Sequence, residues 1–348
     1  MKRWFNWFAK SDYQNMGIDL GTANTLVVVH DRGIVVQEPS VVAVESSSKE
    51  VLAIGHDAYL MVGRTPGNLI AIRPLKDGVI ADFTMTEHMI RSFIKKAMRV
   101  SGLSSPRILV GIPWGITELE KRAVFDASAN AGATETYLID EPMAAAVGAG
   151  LSVDSPKGHM IVDIGGGTTE VAVISMGGLV TCKSIRIAGI EMDDTIVSHC
   201  RKNYNLLIGE RMAESIKIDI GSAYPFDEER STTVRGRDLL SGLPRTFTLS
   251  SYEIRDALSE PVHAIIESIK LTLEKTPPEL AADIMDTGIV MMGGGALLHG
   301  LCEYVAQETG VRVSRAPDPL LCVAVGTQRI LGDPDLMATI HSSIFRRR

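Results

Sequence analysis

The chain has no run of about 18 consecutive apolar residues, so nothing in its 348 residues is expected to span a bilayer as a helix. It also lacks an excess of positive charge. With 35 Lys and Arg against 42 Asp and Glu, the formal net charge is −7, which argues against nucleic acid as a partner. Cysteine is scarce: Cys182, Cys200, Cys302 and Cys322 are scattered, with no CxxC pair and no histidine cluster nearby. That pattern excludes a disulfide framework or a zinc site and points to reduced thiols in a cytosolic protein. The P-loop GxxxxGK[ST] is absent as well. Aromatic residues make up 5% of the chain, yet two of its three tryptophans fall within the first ten residues.

What is present is the composition of a soluble globular protein, 45% apolar and 22% charged, long enough for two domains with substantial cores. From Met16 to about Glu45 the pattern is strand, glycine turn, strand: MGIDLG, NTLVVVH, GIVVQ and SVVAVE read as a β-meander. A helix follows at TEHMIRSFIKKAM and a buried strand at RILVGIP. TELEKRAVFDASANAGA then gives a helix with Thr117 as N-cap, Glu120 three residues on and Gly132 as the stop. TYLID is a strand, and EPMAAAVGAG a small-residue helix with Pro142 in its first turn. After SVDSPKGH the programme restarts with MIVDIGGGTTEVAVIS, and D-L-G-T-A-N-T from Asp19 runs in step with D-I-G-G-G-T-T from Asp163. The period of roughly 145 residues is that of a duplicated domain. The second half adds helices at MDDTIVSHCRKNYNLL and GERMAESIKIDIG, a polar β-rich patch at 221–250, a long helix broken at Pro261, and a closing αβα passage.

The first turn, Asp19 to Thr25, can aim backbone N–H groups at an anion, with the strand-terminal aspartate free to hold a cation; it reads equally as a plain hairpin. The second, Asp163 to Thr169, tilts the balance, because three consecutive glycines weaken a strand and need a reason. Two matching hairpins fit a clamp closing on one polyphosphate. Neither is a dinucleotide fingerprint, since each leads into a strand. Gly293 to Gly295 precede a helix and alone read best as close packing. Glu214 and Lys217 lie one helical turn apart, as most solvated surface pairs do. Glu141 opens a helix whose dipole favours its ionised form; it reads as a water-orienting acid or as a first-turn carboxylate.

GIDLGTANT, LIDEPMAAAVGAG, VDIGGGTTEVAV, GGGALL and DPLLCVAVGTQRIL resemble the five nucleotide-site motifs of the actin/Hsp70/hexokinase superfamily, and most of all those of the MreB family of bacterial actin-like proteins. EPSVVAV, GRTPGN, IRPLKDGVIADF, NLLIGERMAE and TPPELAADI extend the resemblance across residues 15–332. It implies an α/β actin-like ATPase fold in two related lobes with four subdomains and a nucleotide cleft between them. Lobe I would cover 15–150 plus 315–345, with a smaller subdomain at about 34–74. Lobe II would cover 151–314, with a smaller subdomain at about 186–250. The implied ligands are ATP and Mg²⁺. By position, Thr22, Ala23, Asn24 and Gly165, Gly166, Gly167, Thr168 would cradle phosphates, and Asp19 and Asp163 the metal, through water. The segment Glu214, Ser215, Ile216, Lys217 would face ribose and adenine, and Gly294, Gly295, Ala296, Leu297 the adenosine. Glu141, assisted by Thr168, would orient the attacking water, with slow turnover because no arginine finger is visible. The resemblance breaks at Trp114 in GIPWGIT, and at Ile190 and Glu191 in AGIEMDD.

The expected function is a nucleotide-switched filament that organises cell-wall elongation and rod shape. Its partners would be itself, inner-membrane lipid and transmembrane elongation proteins. An Hsp70-type ATPase, which would carry a β-rich peptide-binding domain, and a small-molecule kinase of the same superfold are the alternatives. The opening MKRWFNWFAK fits the filament. On a helical wheel Trp4, Phe5, Trp7 and Phe8 span an apolar arc of about 160°, with Lys2, Arg3, Asn6 and Lys10 opposite. Residues 1–10 therefore read as an amphipathic helix on the cytoplasmic face of the membrane, or as one docked on its own protein.

Overall fold

The computed structural model describes residues 15–30 and 32–346. The N-terminal helix expected at residues 1–10, with Trp4, Phe5, Trp7 and Phe8, lies outside the described residues. Two sheets built on one plan dominate. In the first, Asn15–Leu20 pairs antiparallel with Asn24–Val29, which pairs with Gly33–Pro39; on its other side it runs parallel to Arg107–Ile112, then Glu135–Asp140. In the second, His159–Ile164 pairs antiparallel with Thr169–Ser175, followed by Gly178–Ile185, and parallel with Ile289–Met292, then Val313–Arg315. The sequence repeat is thus a repeat of topology: an antiparallel meander whose first strand carries parallel neighbours reached by helical crossovers.

Each sheet has its own core. Met16, Ile18, Val27, Val29, Ile108 and Val110 pack under the helix Phe83–Ser101, whose Met89, Ile90, Phe93 and Ile94 are buried. Val162, Ile164, Val171 and Val173 face helix Gly189–Tyr204 and its neighbours. Between the sheets lie helices Glu141–Gly148 and Cys322–Gly332. They cross backbone to backbone: a Cβ on Gly326 would overlap the Ala144 carbonyl, and one on Gly148 that of Cys322. The small-residue composition of EPMAAAVG and CVAVG is the condition for that approach.

Local chemistry sets several boundaries. Thr117 and Glu120 form a reciprocal capping box at the start of Glu118–Ala131, and Gly132 ends the helix at φ 107°. Other boundaries differ from expectation. The fourth strand of the meander, Val42–Glu45, leaves the first sheet and joins Val51–Ile54 and Leu69–Ile72 in a separate one. Pro39 cannot donate to a continuing ladder, and the Ser40 hydroxyl instead donates to the Gly21 carbonyl at 2.6 Å, turning the chain. The long helix breaks at Leu258, and Pro261 sits inside the first turn of Ser259–Glu274, where a missing N–H costs nothing. Gly293 leads into a single 3₁₀ turn, Gly294–Leu297, and the next α-helix begins at Leu301. Ile344–Arg346 adds an unanticipated strand antiparallel to Glu135–Asp140.

Candidate functional site

The two glycine hairpins meet at one cleft of about 630 Å³, lined from both sheets. They touch each other. A Cβ on Gly166 would lie 2.5 Å from that of Ala23, and one on Gly167 would lie 2.7 Å from Thr22 Oγ1. These glycines are therefore required by the approach of hairpin to hairpin, a reason additional to any ligand. The second hairpin is shaped by the N-terminus of helix Gly189–Tyr204: the Gly189 and Ile190 N–H groups donate to the Gly165 and Gly166 carbonyls at 3.1 and 2.8 Å. Ile190 serves there through its backbone, so its side chain is free to depart from the usual pattern. Lys217 props the same corner, donating to the Gly189 carbonyl at 2.8 Å and pairing with Asp193 at 2.9 Å.

Four carboxyls converge on the cleft floor. Asp19 is the penultimate residue of its strand, opposite Leu26, and Asp163 the penultimate residue of the matching strand, opposite Glu170. Burial, then the neighbouring Asp163, pushes Asp19 up to about 8, and burial pushes Asp163 up to about 7. Glu141 is held well above the carboxylate range by burial, and next by Glu170, Asp19 and Asp163. Its Oε1 is buried without a hydrogen-bond partner. Glu170 is pushed up to about 8 by burial, opposed by the Trp114 N–H that donates to it at 2.7 Å. Such a cluster of desolvated like charges calls for a cation. Among the described residues no three His, Cys, Asp or Glu side chains form a direct ligand set. A divalent cation entering this floor would meet Asp19 and Asp163.

Of the residues singled out in the sequence, Asp19, Thr22, Ala23, Asn24, Glu141, Asp163, Gly165, Gly166, Gly167, Thr168, Glu214, Lys217, Gly294, Gly295 and Leu297 line this cleft. Three do not. Ser215 is exposed and bonds back to the Arg211 carbonyl, Ile216 is buried in the second core, and so is Ala296. A helix presents 214 and 217 to one side and turns 215 and 216 away, so a contiguous segment cannot all face a ligand. Gly293, at φ 77°, and Gly295 pack on Ile164, so packing accounts for both.

The mouth is bridged by residues far apart in the chain. Tyr59 Oη donates to Glu214 Oε2 at 2.9 Å, the Arg211 guanidinium lies 5.0 Å from the Tyr59 ring centre, and Arg73 meets Glu210 at 3.5 Å. At the side of the cleft Phe226 stacks on His299 at 4.0 Å, with Arg230 over its other face at 4.2 Å. The three cleft arginines are thus engaged away from the carboxyl cluster. Tyr59 and Glu214 form a strap across the opening. Tyr59→Phe should speed release of a fluorescent nucleotide roughly two- to tenfold, the worth of one hydrogen bond, measured by stopped-flow displacement. An unchanged off-rate would show that the strap does not gate the cleft. The four cysteines are free, and burial raises the thiol of each, which disfavours the thiolate.

The family model for MreB/Mbl protein matches residues 13–339. The chain is 54% identical over 322 residues to the cell shape-determining protein MreB of Escherichia coli K12, covering 91% of this chain and 93% of that one. It is 51% identical over 323 residues to the cell shape-determining protein Mbl of Bacillus subtilis 168, covering 92% and 97%. The crystal structure of MreB5 of Spiroplasma citri bound to AMPPNP superposes with a TM-score of 0.88 at 37% identity, over 96% of this chain and 99% of that one. The fold is accordingly the actin-like one. With a family match running over nearly its whole length, the chain belongs to the MreB/Mbl family.

Proposed function

We propose that the cleft binds ATP with Mg²⁺ and hydrolyses it slowly, as the switch of a filament that lies against the cytoplasmic face of the membrane and directs rod-shaped wall growth. The observation that carries this is the meeting of two duplicated hairpins, each with an aspartate at the penultimate position of its first strand, above a buried carboxyl that has no partner. Thr22, Ala23, Asn24 and Gly166 to Thr168 offer backbone N–H groups to the phosphates, while Gly165, whose N–H donates to the Thr168 carbonyl at 2.9 Å, shapes the turn that cradles them. Mg²⁺, when bound, neutralises phosphate charge. Glu141, assisted by Thr168, holds the attacking water. Glu214 and Lys217, with Gly294, Gly295 and Leu297, border the nucleoside. Among the described residues no arginine engages the carboxyl cluster, which favours slow turnover, a timer more than a metabolic kinase. The lobes are assigned as 15–150 plus 315–345 and 151–314, with smaller subdomains at about 34–74 and 186–250. Family membership sets aside the Hsp70-type and kinase readings.

The partners are further copies of the chain, membrane lipid and transmembrane wall-elongation proteins. Residues 1–10 supply the lipid contact: each aromatic contributes about 1.5–3 kcal/mol if fully buried, less the cost of ordering a short helix. One copy binds weakly; a filament presenting many binds through avidity. ATP should drive the protein into the pellet, alone and with anionic liposomes. Deleting residues 1–10 should leave ATP-dependent pelleting intact while liposome co-pelleting disappears. A protein that stays monomeric by light scattering with ATP and lipid present is not a filament former, and liposome pelleting that survives the deletion removes the foot.

A further inference from the structure

The short hairpin of Leu75–Lys76 and Val79–Ile80 turns on Asp77 and Gly78, whose φ angles are 51° and 72°. Central residues that both lie in the left-handed region mark a type I′ turn, which an Asp-Gly pair adopts readily. Leu75 and Ile80 root the hairpin in the first core, and the Ile80 N–H donates to Glu120 Oε1 at 3.1 Å. Its tip reaches both glycine hairpins. The Gly78 N–H donates to Thr22 Oγ1 at 3.4 Å, on the first of them. On the second, a Cβ on Gly167 would lie 3.0 Å from the Asp77 nitrogen, and a Cβ on Gly78 would lie 2.5 Å from Thr168 Cγ2. Lys76 and Asp77 also act on the charge of Asp194, in the helix Gly189–Tyr204. Asp77 and Gly78 stay out of the cleft lining, whereas Thr22, Gly167 and Thr168 are part of it. The turn is therefore a brace behind the two hairpins, at the point where they meet.

The contact with Thr168 has a chemical consequence. Threonine carries a methyl and a hydroxyl on one Cβ and is stiff about χ1, so seating the methyl fixes the hydroxyl. A hydroxyl alone would ask only for serine at 168. The methyl occupies the space that any side chain at 78 would take, and the left-handed turn keeps that position glycine. We propose that the Asp77–Gly78 turn is a positioning element for ATP hydrolysis, holding the Thr168 methyl so that its hydroxyl stays aimed at the water that Glu141 orients. The inference rests on the ATPase reading above, in which Thr168 assists Glu141. The turn stands on the first sheet and Thr168 on the second, so the hydroxyl is set only while the two are closed on each other.

A cycle of two substitutions in the full chain, read by ATP affinity and phosphate release, separates this role from simple packing. Thr168→Ser keeps the hydroxyl and removes the methyl. Its hydroxyl then samples three staggered wells, so kcat should fall about threefold at unchanged KM. Gly78→Ala drives a methyl into that of Thr168 and should lower kcat at least about tenfold, with ATP affinity within about threefold of the wild type. In the Thr168→Ser background the same change meets no methyl, so kcat should stay within about twofold of Thr168→Ser alone. Turn strain cannot produce that asymmetry, since position 78 has φ 72° in both backgrounds. Wild-type kcat in Gly78→Ala overturns the proposal, and so does equal slowing in both backgrounds. Loss of ATP affinity in Gly78→Ala also overturns it, by making the turn a structural anchor. If Gly78→Ala does not fold, Thr168→Ser still decides, because a kcat equal to that of the wild type shows that the methyl sets nothing. No phosphate release by the wild type counts against the ATPase reading and this inference together.

Discussion

Glu141→Ala should bind ATP as well as the parent or better, and should release phosphate at least about 100-fold more slowly, the lower range for loss of a positioned acid–base group. The affinity follows from electrostatics. Glu141 shares the floor with Asp19, Asp163 and Glu170, and each raises the proton affinity of the others or feels their charge. Removing a carboxyl that burial keeps largely protonated leaves the charge a triphosphate meets on entry no more negative than before. The fold tolerates the change: position 141 opens the helix Glu141–Gly148, which alanine favours, and Pro142 and the buried Met143 to Val147 are untouched. What is lost at the helix N-terminus, about 0.3–1 kcal/mol, is offset by no longer burying a carboxyl whose Oε1 is unpartnered. Filaments of the variant should form with ATP and persist, since the nucleotide state that ends them is not reached. A phosphate-release assay beside sedimentation checks both halves. Release at the parental rate would take Glu141 out of the water site.

How much of this is legible in the residues alone depends on sequence distance. The hairpins read clearly because strand, aspartate, glycine turn and strand are contiguous and occur twice. The Thr117–Glu120 box and the Gly132 stop read clearly because a capped helix carries its signals within one turn at each end. The two-sheet architecture follows from the repeat. The strap does not, because Tyr59 meets Glu214 across 155 residues, and nothing local to either marks the other. Ser215, Ile216 and Ala296 show a different failure: a contiguous motif carries neighbours along with the residues that face the ligand, and helical or 3₁₀ geometry then turns those neighbours into solvent or core. Glu170 was in plain view as a charge inside TTEVAVIS. A buried strand that keeps a carboxyl is a signal, but only the fold shows that the strand is buried along its whole length and that the acid looks into the cleft.

The same carboxyls make the stability of the metal-free, nucleotide-free protein fall as pH rises from about 6.5 to 8.5. A carboxyl whose folded-state pKa lies above its unfolded value keeps its proton in the folded chain where the unfolded chain has lost it. The folded state then binds more protons, so stability decreases with pH across that window. Asp163 at about 7 and Asp19 and Glu170 at about 8 place the window, with Glu141 shifted in the same direction. Groups that oppose the trend act lower. Asp238, held down to about 2 by its bonds from Ser241 and Arg245, and the lowered Glu120 and Glu253 have delivered their stabilisation by about pH 5. His159, lowered by burial, gains stability only up to about its ordinary value of 6.5. Each pH unit between folded and unfolded values is worth about 1.4 kcal/mol per group, and coupling keeps the sum well below the simple total. A drop of several kcal/mol, or about 5 °C or more in melting temperature, is the expected result by scanning fluorimetry in EDTA. Mg²⁺ with ATP should flatten the slope, because a bound cation favours the ionised carboxylates that burial disfavours. Asp19→Asn and Asp163→Asn should flatten it without any ligand, each by deleting one proton-binding group from the folded state. A metal-free melting temperature that stays level or climbs over this window would mean that these acids are solvated in the folded protein, and that the cleft floor is not the dry, like-charged pocket on which a cation and a held water depend.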